Sequence, residues 1–372
     1  MYHLVTDIDG WLNSTAEIDL VDDEILFIML GEESSKEVPK IIATLNKAEI
    51  SFIGGIFPGI IYDEQRYEKG AIVARLPVIG KPQLVTGLDS ADFRLPDLKN
   101  ITDGFDKKYT AMILADGLTG NIDVFLNSLF NELADSVNYF GGGAGSITLK
   151  QQPCIFTDKG LFQDAAVVTF LRLQSHLGVH HGWERVMGPI VATKTDKNKI
   201  IELNWENAFE VYKEIVEKDA DEVITGPNFF EIAKEYPFGM IKEYTEPVVR
   251  DLVAVGDSGE LICVGNVPEN SVLDILKGDA ASLVEAAGQA ADDCKPAKGK
   301  KITHSFIIDC ISRVLFLGEK FSCELEEVKT KTIEIARDVV PVGMLTLGEI
   351  SCYGEGFLEF FNKTIVVVML HD

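Results

Sequence analysis

Three segments of the chain share one order of apolar runs and amphipathic stretches. The first begins with the apolar run EILFIML (24–30) and continues with apolar residues spaced three and four apart from Val38 to Leu45. That spacing predicts a helix, because such residues lie on one face of an α-helix. The apolar runs ISFIGG (50–55) and AIVARL (71–76) then predict buried strands. The segment therefore predicts a strand, a helix, a strand ending in glycine, a loop and a further strand.

The same order recurs twice along the chain. In the second segment YTAMILA (109–115) precedes an apolar stripe from Ile122 to Leu133, and the third segment begins with HSFIIDC (304–310). We therefore predict an α/β protein built from internally duplicated strand–helix–strand–loop–strand units, which form mixed sheets flanked by helices.

The middle of the chain carries a less regular version of this unit. It lies between residues 228 and 265, where PFGM (237–240) resembles PVGM (341–344) of the third segment. The polar stretch around residues 192–205 is the predicted linker between the two halves of the chain.

The glycine run in NYFGGGAGS (138–146) has two interpretations. A phosphate-binding loop has its glycines between a strand and the helix that follows. Here the amphipathic stripe precedes the glycines, and no Lys-Ser or Lys-Thr pair follows them. Glycine at a strand end instead permits a sharp turn and the close approach of a ligand. Because parallel strands end at a common sheet edge, we expect the three glycine turns to line one binding rim that includes Gly54, Gly55, Gly142 and Gly143.

Composition and charge narrow the classes of function. The chain has 34 basic and 59 acidic residues, so its net charge is 34 − 59 = −25. A surface this negative repels nucleic acids and anionic membranes, and we expect neither as a partner. The run IVVVML (365–370) is too short to span a bilayer, and the six cysteines form no CxxC motif. Since the N-terminus has no secretory signal pattern, we expect a cytoplasmic protein.

Several short stretches occur in an order that is typical of one family. They are FIGGIFPG (52–59), YFGGGAGS (139–146), HHGWERVMG (180–188), the bridge at 191–216, DCISR (309–313), GMLTLGEI (343–350) and FNKT (361–364). Together they resemble the FIST family over nearly the whole chain. The resemblance implies a FIST N-like domain at 1–195 and a FIST C-like domain at 196–372.

The resemblance also carries expectations about function. It implies an intracellular sensory protein of signal transduction that binds a small ligand, such as an amino acid or a related small carboxylate, and that is not an enzyme. The expected partner is a separate signalling protein such as a histidine kinase or a chemoreceptor. Under the main hypothesis the protein binds no cofactor. The alternative is a haem-binding sensor of nitric oxide, since some members of the family are of that kind.

Arg313 is the leading candidate for contact with a ligand. It follows an apolar strand and would project at the rim, where a guanidinium can hold a carboxylate through paired N–H donors. Glu349 would accept a ligand ammonium, and Thr346 and Asn362 would supply neutral hydrogen bonds. Together these residues would recognise a zwitterion. The alternative is that Arg313 and Glu349 pair with each other in the core.

Asp116 and Cys310 are further candidates at the ends of apolar strands. Asp116 would join the rim, and a pairing with Glu32 or Asp63 would make it an acid–base catalyst only within a cleft. Cys310 is either a reactive thiol beside Arg313 or a buried structural one.

His181 is the candidate axial ligand for the haem alternative. In HHGW the two neighbouring histidines of a strand point to opposite faces, so only one of them can serve a given pocket. Phe361 stands where the family often has histidine.

Overall fold

The computed structural model describes residues 2–14, 18, 20–21, 23–242, 245–296, 299–353 and 356–372. The strands are β1 (Tyr2–Val5), β2 (Glu24–Gly31), β3 (Phe52–Phe57), β4 (Gly59–Tyr62), β5 (Gln65–Tyr67), β6 (Ala71–Pro77), β7 (Gln83–Thr86), β8 (Thr110–Asp116), β9 (Asn138–Ala144), β10 (Ile155–Thr157), β11 (Gly160–Phe162), β12 (Ala165–Leu171), β13 (Gln174–His180), β14 (Glu184–Asp196), β15 (Lys199–Leu203), β16 (Glu206–Asn207), β17 (Phe238–Met240), β18 (Val248–Arg250), β19 (Leu252–Val255), β20 (Leu261–Cys263), β21 (Val272–Lys277), β22 (Ile302–Cys310), β23 (Pro341–Thr346), β24 (Glu349–Cys352), β25 (Leu358–Phe361) and β26 (Ile365–His371). The helices are α1 (Ile8–Asn13), α2 (Val38–Lys47), α3 (Lys99–Thr102), α4 (Ile122–Leu133), α5 (Ala208–Ala220), α6 (Phe229–Ala233), α7 (Ala280–Asp293), α8 (Ile311–Leu317) and α9 (Phe321–Ile335), with short 3-10 turns at Glu32–Glu37, Gly226–Asn228 and Gly318–Lys320.

Three mixed sheets follow one pairing scheme. In each, the first strand of a segment lies parallel to the second and antiparallel to the last. The strand orders are β1-β6-β2-β3-β10-β11, β25-β24-β9-β8-β12-β7 and β13-β26-β22-β23-β4-β5. The predicted α/β class, with mixed sheets and helices, is confirmed.

The three sheets also share one register. Each parallel ladder pairs an isoleucine with a glycine, and the pairs are Ile28–Gly54, Ile113–Gly141 and Ile307–Gly343. Each isoleucine also pairs with a valine of the antiparallel ladder, and these valines are Val73, Val168 and Val367. A Cβ on Gly343 would lie 2.0 Å from the carbonyl oxygen of Ile307, so only glycine fits at this position.

The strand that follows each glycine strand joins the sheet of a different segment. β4 follows β3 but pairs with β23, β24 follows β23 but pairs with β9, and β10 follows β9 but pairs with β3. The exchange is cyclic, because each segment gives a strand to one neighbour and receives a strand from the other. β13 also pairs with β26, close to the end of the chain. Residues on both sides of position 195 therefore build common sheets, and β14 runs through that position.

Aromatic rings pack where the inner faces of the sheets meet. Phe306 of β22 stacks on Phe140 of β9 with ring centroids 5.8 Å apart, and it lies 6.0 Å from the ring of Phe27 of β2. All three side chains are buried. Burial of aromatic surface of this size contributes strongly to stability. The helices cover the outer faces: α4 packs on the second sheet, and α7, α8 and α9 pack on the third.

The middle of the chain departs from the prediction in two ways. The residues expected to form a linker around 192–205 instead belong to the antiparallel pair β14–β15. The less regular unit contains α6 and β17, two strands, β18 and β19, where one was predicted at 248–255, and β20 at the predicted strand 260–265. The ladders that β17 forms with β18 and β21 are both antiparallel. The stretch at 192–205 is polar, but β14 forms backbone hydrogen bonds with β15 and β21, so it is a strand despite its composition.

Candidate functional site

Arg313 lies on α8, one turn after β22, and its side chain is fully buried. Its Nε and Nη2 atoms donate to the carboxylate of Glu324. Nη1 donates to the carbonyl oxygens of His181 (2.6 Å) and Lys363 (3.2 Å), and Nη2 also donates to that of Leu283 (2.9 Å). A guanidinium has five N–H donors, so each of them has an acceptor within the protein. Arg313 was expected to project at a binding rim, but its side chain is enclosed by protein acceptors.

Two carboxyl groups flank this guanidinium. The Asp309 carboxylate lies 3.4 Å from Nε of Arg313, and both its oxygens are buried without a hydrogen-bond partner among the described residues. Burial, and then the neighbouring Glu324 carboxylate, raise the pKa of Asp309. The cluster therefore holds more acidic than basic groups, and protonation of Asp309 relieves their repulsion.

Glu349 is buried nearby with different partners. Its carboxylate accepts a hydrogen bond from the hydroxyl of Thr346 (2.7 Å) and another from the backbone N–H of Thr364 (3.3 Å). Burial raises the pKa of Glu349 to about 8. The carboxylates that pair with Arg313 are those of Glu324 and Asp309, and a direct pair with Glu349 is not formed among the described residues.

Cys310 and Asn362 complete this buried polar region. Burial raises the pKa of the Cys310 thiol, and the Glu349 carboxylate adds to this effect, so the site opposes formation of a thiolate. The Asn362 side chain is 1% exposed, and neither its oxygen nor its nitrogen has a hydrogen-bond partner in the described part of the chain. Six of the expected site residues thus lie in one region, namely Arg313, Glu349, Thr346, Cys310, Asn362 and His181.

The glycine turns contact one another directly. The N–H of Gly143 donates to the carbonyl oxygen of Gly348 at 2.8 Å, and a Cβ on Gly142 would lie 2.5 Å from the side chain of Thr346. Protein atoms therefore fill the space between the turns. Neither of the two cavities described below is lined by the expected glycines Gly54, Gly55, Gly142 and Gly143.

Asp116 ends β8 and serves as a local hydrogen-bond acceptor. It accepts from the side chain of Gln151 (2.6 Å) and from the backbone N–H groups of Asp164 (2.7 Å) and Leu118 (3.1 Å). Burial raises its pKa. These bonds hold the turn between β8 and α4 in place.

The surroundings of His181 do not fit an axial ligand of haem. The Nδ1 atom accepts a hydrogen bond from the backbone N–H of Trp183 at 2.8 Å, which places the ring proton on Nε2. Nε2 lies 3.4 Å from the carboxylate of Glu246, and burial lowers the pKa of His181 to about 4. The neighbouring His180 engages both ring nitrogens, with Glu246 (2.6 Å) and Asp293 (2.8 Å).

A cleft that the sequence did not reveal lies between α4, the β14–β15 turn and the segment around β18. We call it the Arg250 cleft; its volume is about 350 Å³, within the range of small-molecule sites. Arg250 is only 2% exposed. Its Nε donates to the carbonyl oxygen of Asn266 (2.8 Å), and its Nη1 donates to those of Val249 (3.1 Å) and Phe360 (3.0 Å). Among the described residues Nη2 has no hydrogen-bond acceptor, so two of the five N–H donors of this guanidinium are unused there.

Other charged groups line the same cleft. Lys242 pairs with Glu359 at 2.6 Å, whereas Lys197 forms no ion pair with the described part of the chain. The Oδ2 atom of Asp123 is buried and likewise lacks a described hydrogen-bond partner. Burial raises the pKa of Asp123, and the Arg250 guanidinium, together with hydrogen bonds from the backbone and the side chain of Asn266, partly offsets this effect. The cleft therefore offers both a cationic and an acidic binding group.

A second cavity, of about 280 Å³, adjoins the Arg250 cleft. We call it the α4 compartment, because it is lined by the turn Gly117–Gly120 and by the first residues of α4. The two cavities share four lining residues, namely Asp123, Lys197, Asn266 and Phe360. The compartment lies beyond the carboxyl end of β8, the position at which open α/β sheets commonly bind ligands.

A chain of polar contacts joins the Arg250 cleft to the buried region around Arg313. Asp251, next to Arg250, accepts a hydrogen bond from Ser312 at 2.5 Å and lies 3.1 Å from Nζ of Lys363. The carbonyl oxygen of Lys363 is one of the acceptors of Arg313. The expected residues thus lie behind the cleft rather than at its surface.

The sequence contains one signal that could have revealed the cleft. Arg250 and Asp251 interrupt the apolar stretch VVRDLVAV (248–255), and charged residues within a buried strand require partners. The order of polar and apolar residues does not indicate that Lys197 and Asp123, which are distant in sequence, line the same cleft.

The fold is of the α/β class, and the Arg250 cleft is lined by residues from both halves of the chain. The chain belongs to the FIST family: a FIST N domain matches residues 22–206 and a FIST C domain matches residues 208–352. FIST domains are associated with sensing in signal transduction and with the binding of small ligands. No curated protein matches the chain. Among the described residues, each helix is too short or too polar to cross a membrane.

Proposed function

We propose that this protein is an intracellular sensor that binds a small carboxylate-bearing ligand, such as an amino acid, in the Arg250 cleft. The observation that carries the proposal is Arg250, a buried residue that lines the cleft and whose Nη2 atom has no described acceptor. A guanidinium with unused N–H donors binds a carboxylate through paired hydrogen bonds, and a ligand carboxylate would supply the missing acceptors.

The charge of the cleft supports the same conclusion. The whole chain carries a net charge of −25, yet Lys197, Lys242 and Arg250 line the cleft together with two acidic side chains, Asp123 and Glu359. A local excess of positive charge in an acidic protein favours a small anionic group over a neutral ligand.

The series of polar contacts behind the cleft provides a route by which ligand binding would change the position of surface elements. Arg250 is adjacent to Asp251, and Asp251 contacts Ser312 of α8 and Lys363. A ligand that reorients the Arg250 side chain would act on these contacts and on the position of α8. A separate signalling protein, such as a histidine kinase or a chemoreceptor, would read that change.

Thermal-shift assays with the twenty amino acids and with small monocarboxylates test the proposal. A ligand at a hundred times its Kd stabilises the folded state by about 2.7 kcal/mol, which gives a readily measured rise in Tm. We expect at least one of these compounds to raise the Tm of the wild-type protein, and Arg250→Gln to abolish that rise.

The matched control is Arg172→Gln. Arg172 is half-exposed and pairs with Asp23 at 2.9 Å, away from the cleft. This variant should keep the full response to ligand. The proposal fails if no compound in the panel changes the Tm of the wild-type protein, or if folded Arg250→Gln responds as the wild type does.

A further inference from the structure

The α4 compartment has the features of a second anion-binding position. It faces the N-terminus of α4, a helix of twelve residues, whose first-turn N–H groups point along the helix axis. The N-cap residue Asn121 does not cap these groups, because its side chain donates to the carbonyl oxygen of Leu88 at 2.9 Å.

A buried hydroxyl supports this interpretation independently of the helix. Thr119 lines the compartment and is 5% exposed, and its Oγ1 atom has no hydrogen-bond partner in the described part of the chain. Lys197, which is exposed and not ion-paired there, lines the same space. A hydroxyl, a cation and free backbone N–H groups together form the donor set that binds a carboxylate or a phosphate group.

Asp123 lies between the two positions. It lines both cavities. Its carboxylate receives hydrogen bonds from the backbone and the side chain of Asn266, while its buried Oδ2 atom has no partner among the described residues. A single carboxylate would be repelled by two neighbouring anions, but it would attract an ammonium group placed between them. Arg250 lines only the first cavity and Thr119 only the second, whereas Asp123 and Lys197 line both.

We propose that the cleft recognises an acidic amino acid or a compound of the same charge pattern. The α-carboxylate would bind Arg250, the ammonium would bind Asp123, and the distal acidic group would bind the N-terminus of α4 with Thr119 and Lys197. This inference depends on the proposed function, because it specifies the ligand of the same cleft. The distal group is an anion of small size, either a carboxylate or a phosphate monoester.

Isothermal titration calorimetry with matched ligands tests the inference. L-glutamate and L-aspartate are compared with L-glutamine and L-asparagine, which lack the distal charge, while O-phospho-L-serine tests the phosphate. Glutarate lacks the ammonium and tests Asp123. We expect an acidic ligand to bind the wild-type protein at least roughly tenfold more tightly than its amide, and Thr119→Val to remove most of this preference.

The control variant is Thr169→Val. Thr169 on β12 is also buried with a hydroxyl that lacks a described partner, but it lines neither cavity, so the variant should keep the preference. Should Thr119→Val fail to fold, Lys197→Gln at an exposed position serves in its place. The inference is overturned if amides or glutarate bind as tightly as the acidic amino acids, or if the preference survives in both folded cleft variants. Binding of neutral amino acids that depends on Arg250, without any acidic preference, would overturn this inference and leave the proposed function intact.

Discussion

Arg313 and Glu324 form a two-point ion pair in which both side chains are fully buried. The pair joins α8 to α9, and the remaining donors of Arg313 hold the carbonyl groups of three other segments. A buried guanidinium with this many partners is a structural junction, and its loss would affect several elements together.

The first prediction concerns this pair. Glu324→Gln should lower the free energy of unfolding by about 3–5 kcal/mol, because it leaves a buried cation with an incomplete partner. Chemical denaturation followed by circular dichroism measures the change. Glu326→Gln, at an exposed position on the same helix, is the control and should stay close to the wild type. A Glu324→Gln variant as stable as the control would contradict the assigned role of the pair.

The second prediction concerns the glycine of the shared register. Gly343→Ala should destabilise the protein by about 1–3 kcal/mol or more, because the added Cβ would lie 2.0 Å from the carbonyl oxygen of Ile307. Gly104→Ala is the matched control, since nothing lies within 4 Å of the added atom. Thermal or urea unfolding of both variants gives the comparison. Equal stabilities would show that the β22–β23 ladder tolerates a side chain at this point.

The third prediction is a dependence of stability on pH. The pKa of Glu349 is raised to about 8 in the folded protein, so the fold favours the protonated form. Its contribution to stability is complete below its unfolded-state pKa of about 4.3 and is lost as the pH rises through about 8. The Tm of the wild-type protein should therefore fall between about pH 5 and pH 8 more steeply than that of Glu349→Gln. Parallel curves for the two proteins would exclude this role of Glu349.

The fourth prediction concerns thiol reactivity. Cys323 is exposed on α9, and the other five cysteines are buried. Burial raises the pKa of each of the buried thiols, among them Cys310 and Cys352, and so slows their reaction. A thiol reagent should modify about one cysteine of the native protein quickly and all six after denaturation. Cys323→Ser should remove the fast phase, and rapid labelling of Cys310 would contradict its burial.

The spacing of apolar residues correctly predicted the first strand of each segment and the helix of the second segment. The runs at 24–30, 109–115 and 304–310 form β2, β8 and β22, and the stripe from Ile122 to Leu133 forms α4. These elements are long and buried on at least one face, so their periodicity directly reflects their surroundings.

Long-range pairing was not predictable in the same way. β4, β10 and β24 are only three or four residues long, and their partners lie in other segments. Nothing in so short a stretch specifies a distant neighbour. The stretch at 192–205, predicted as a linker, forms strands for the same reason, since β14 pairs with β15 and β21.

The surroundings of the candidate site residues were also not predictable from the sequence. Arg313 was expected to hold a ligand carboxylate at a rim because it follows an apolar strand, but its five donors are used within the protein. Whether a guanidinium faces solvent, a ligand or protein carbonyls depends on segments far away in sequence. Arg250, by contrast, bonds three carbonyl oxygens through Nε and Nη1, and its Nη2 atom has no described acceptor.

The cyclic exchange of strands has a consequence for any attempt to divide this protein. A fragment ending at residue 206 would keep β4 but lose β23, and the complementary fragment would keep β24 but lose β9. Each piece would carry bare hydrogen-bonding edges that favour aggregation. The two family domains of this chain are therefore interdependent during folding, and separately produced halves should become soluble only when they are made together and can complement each other.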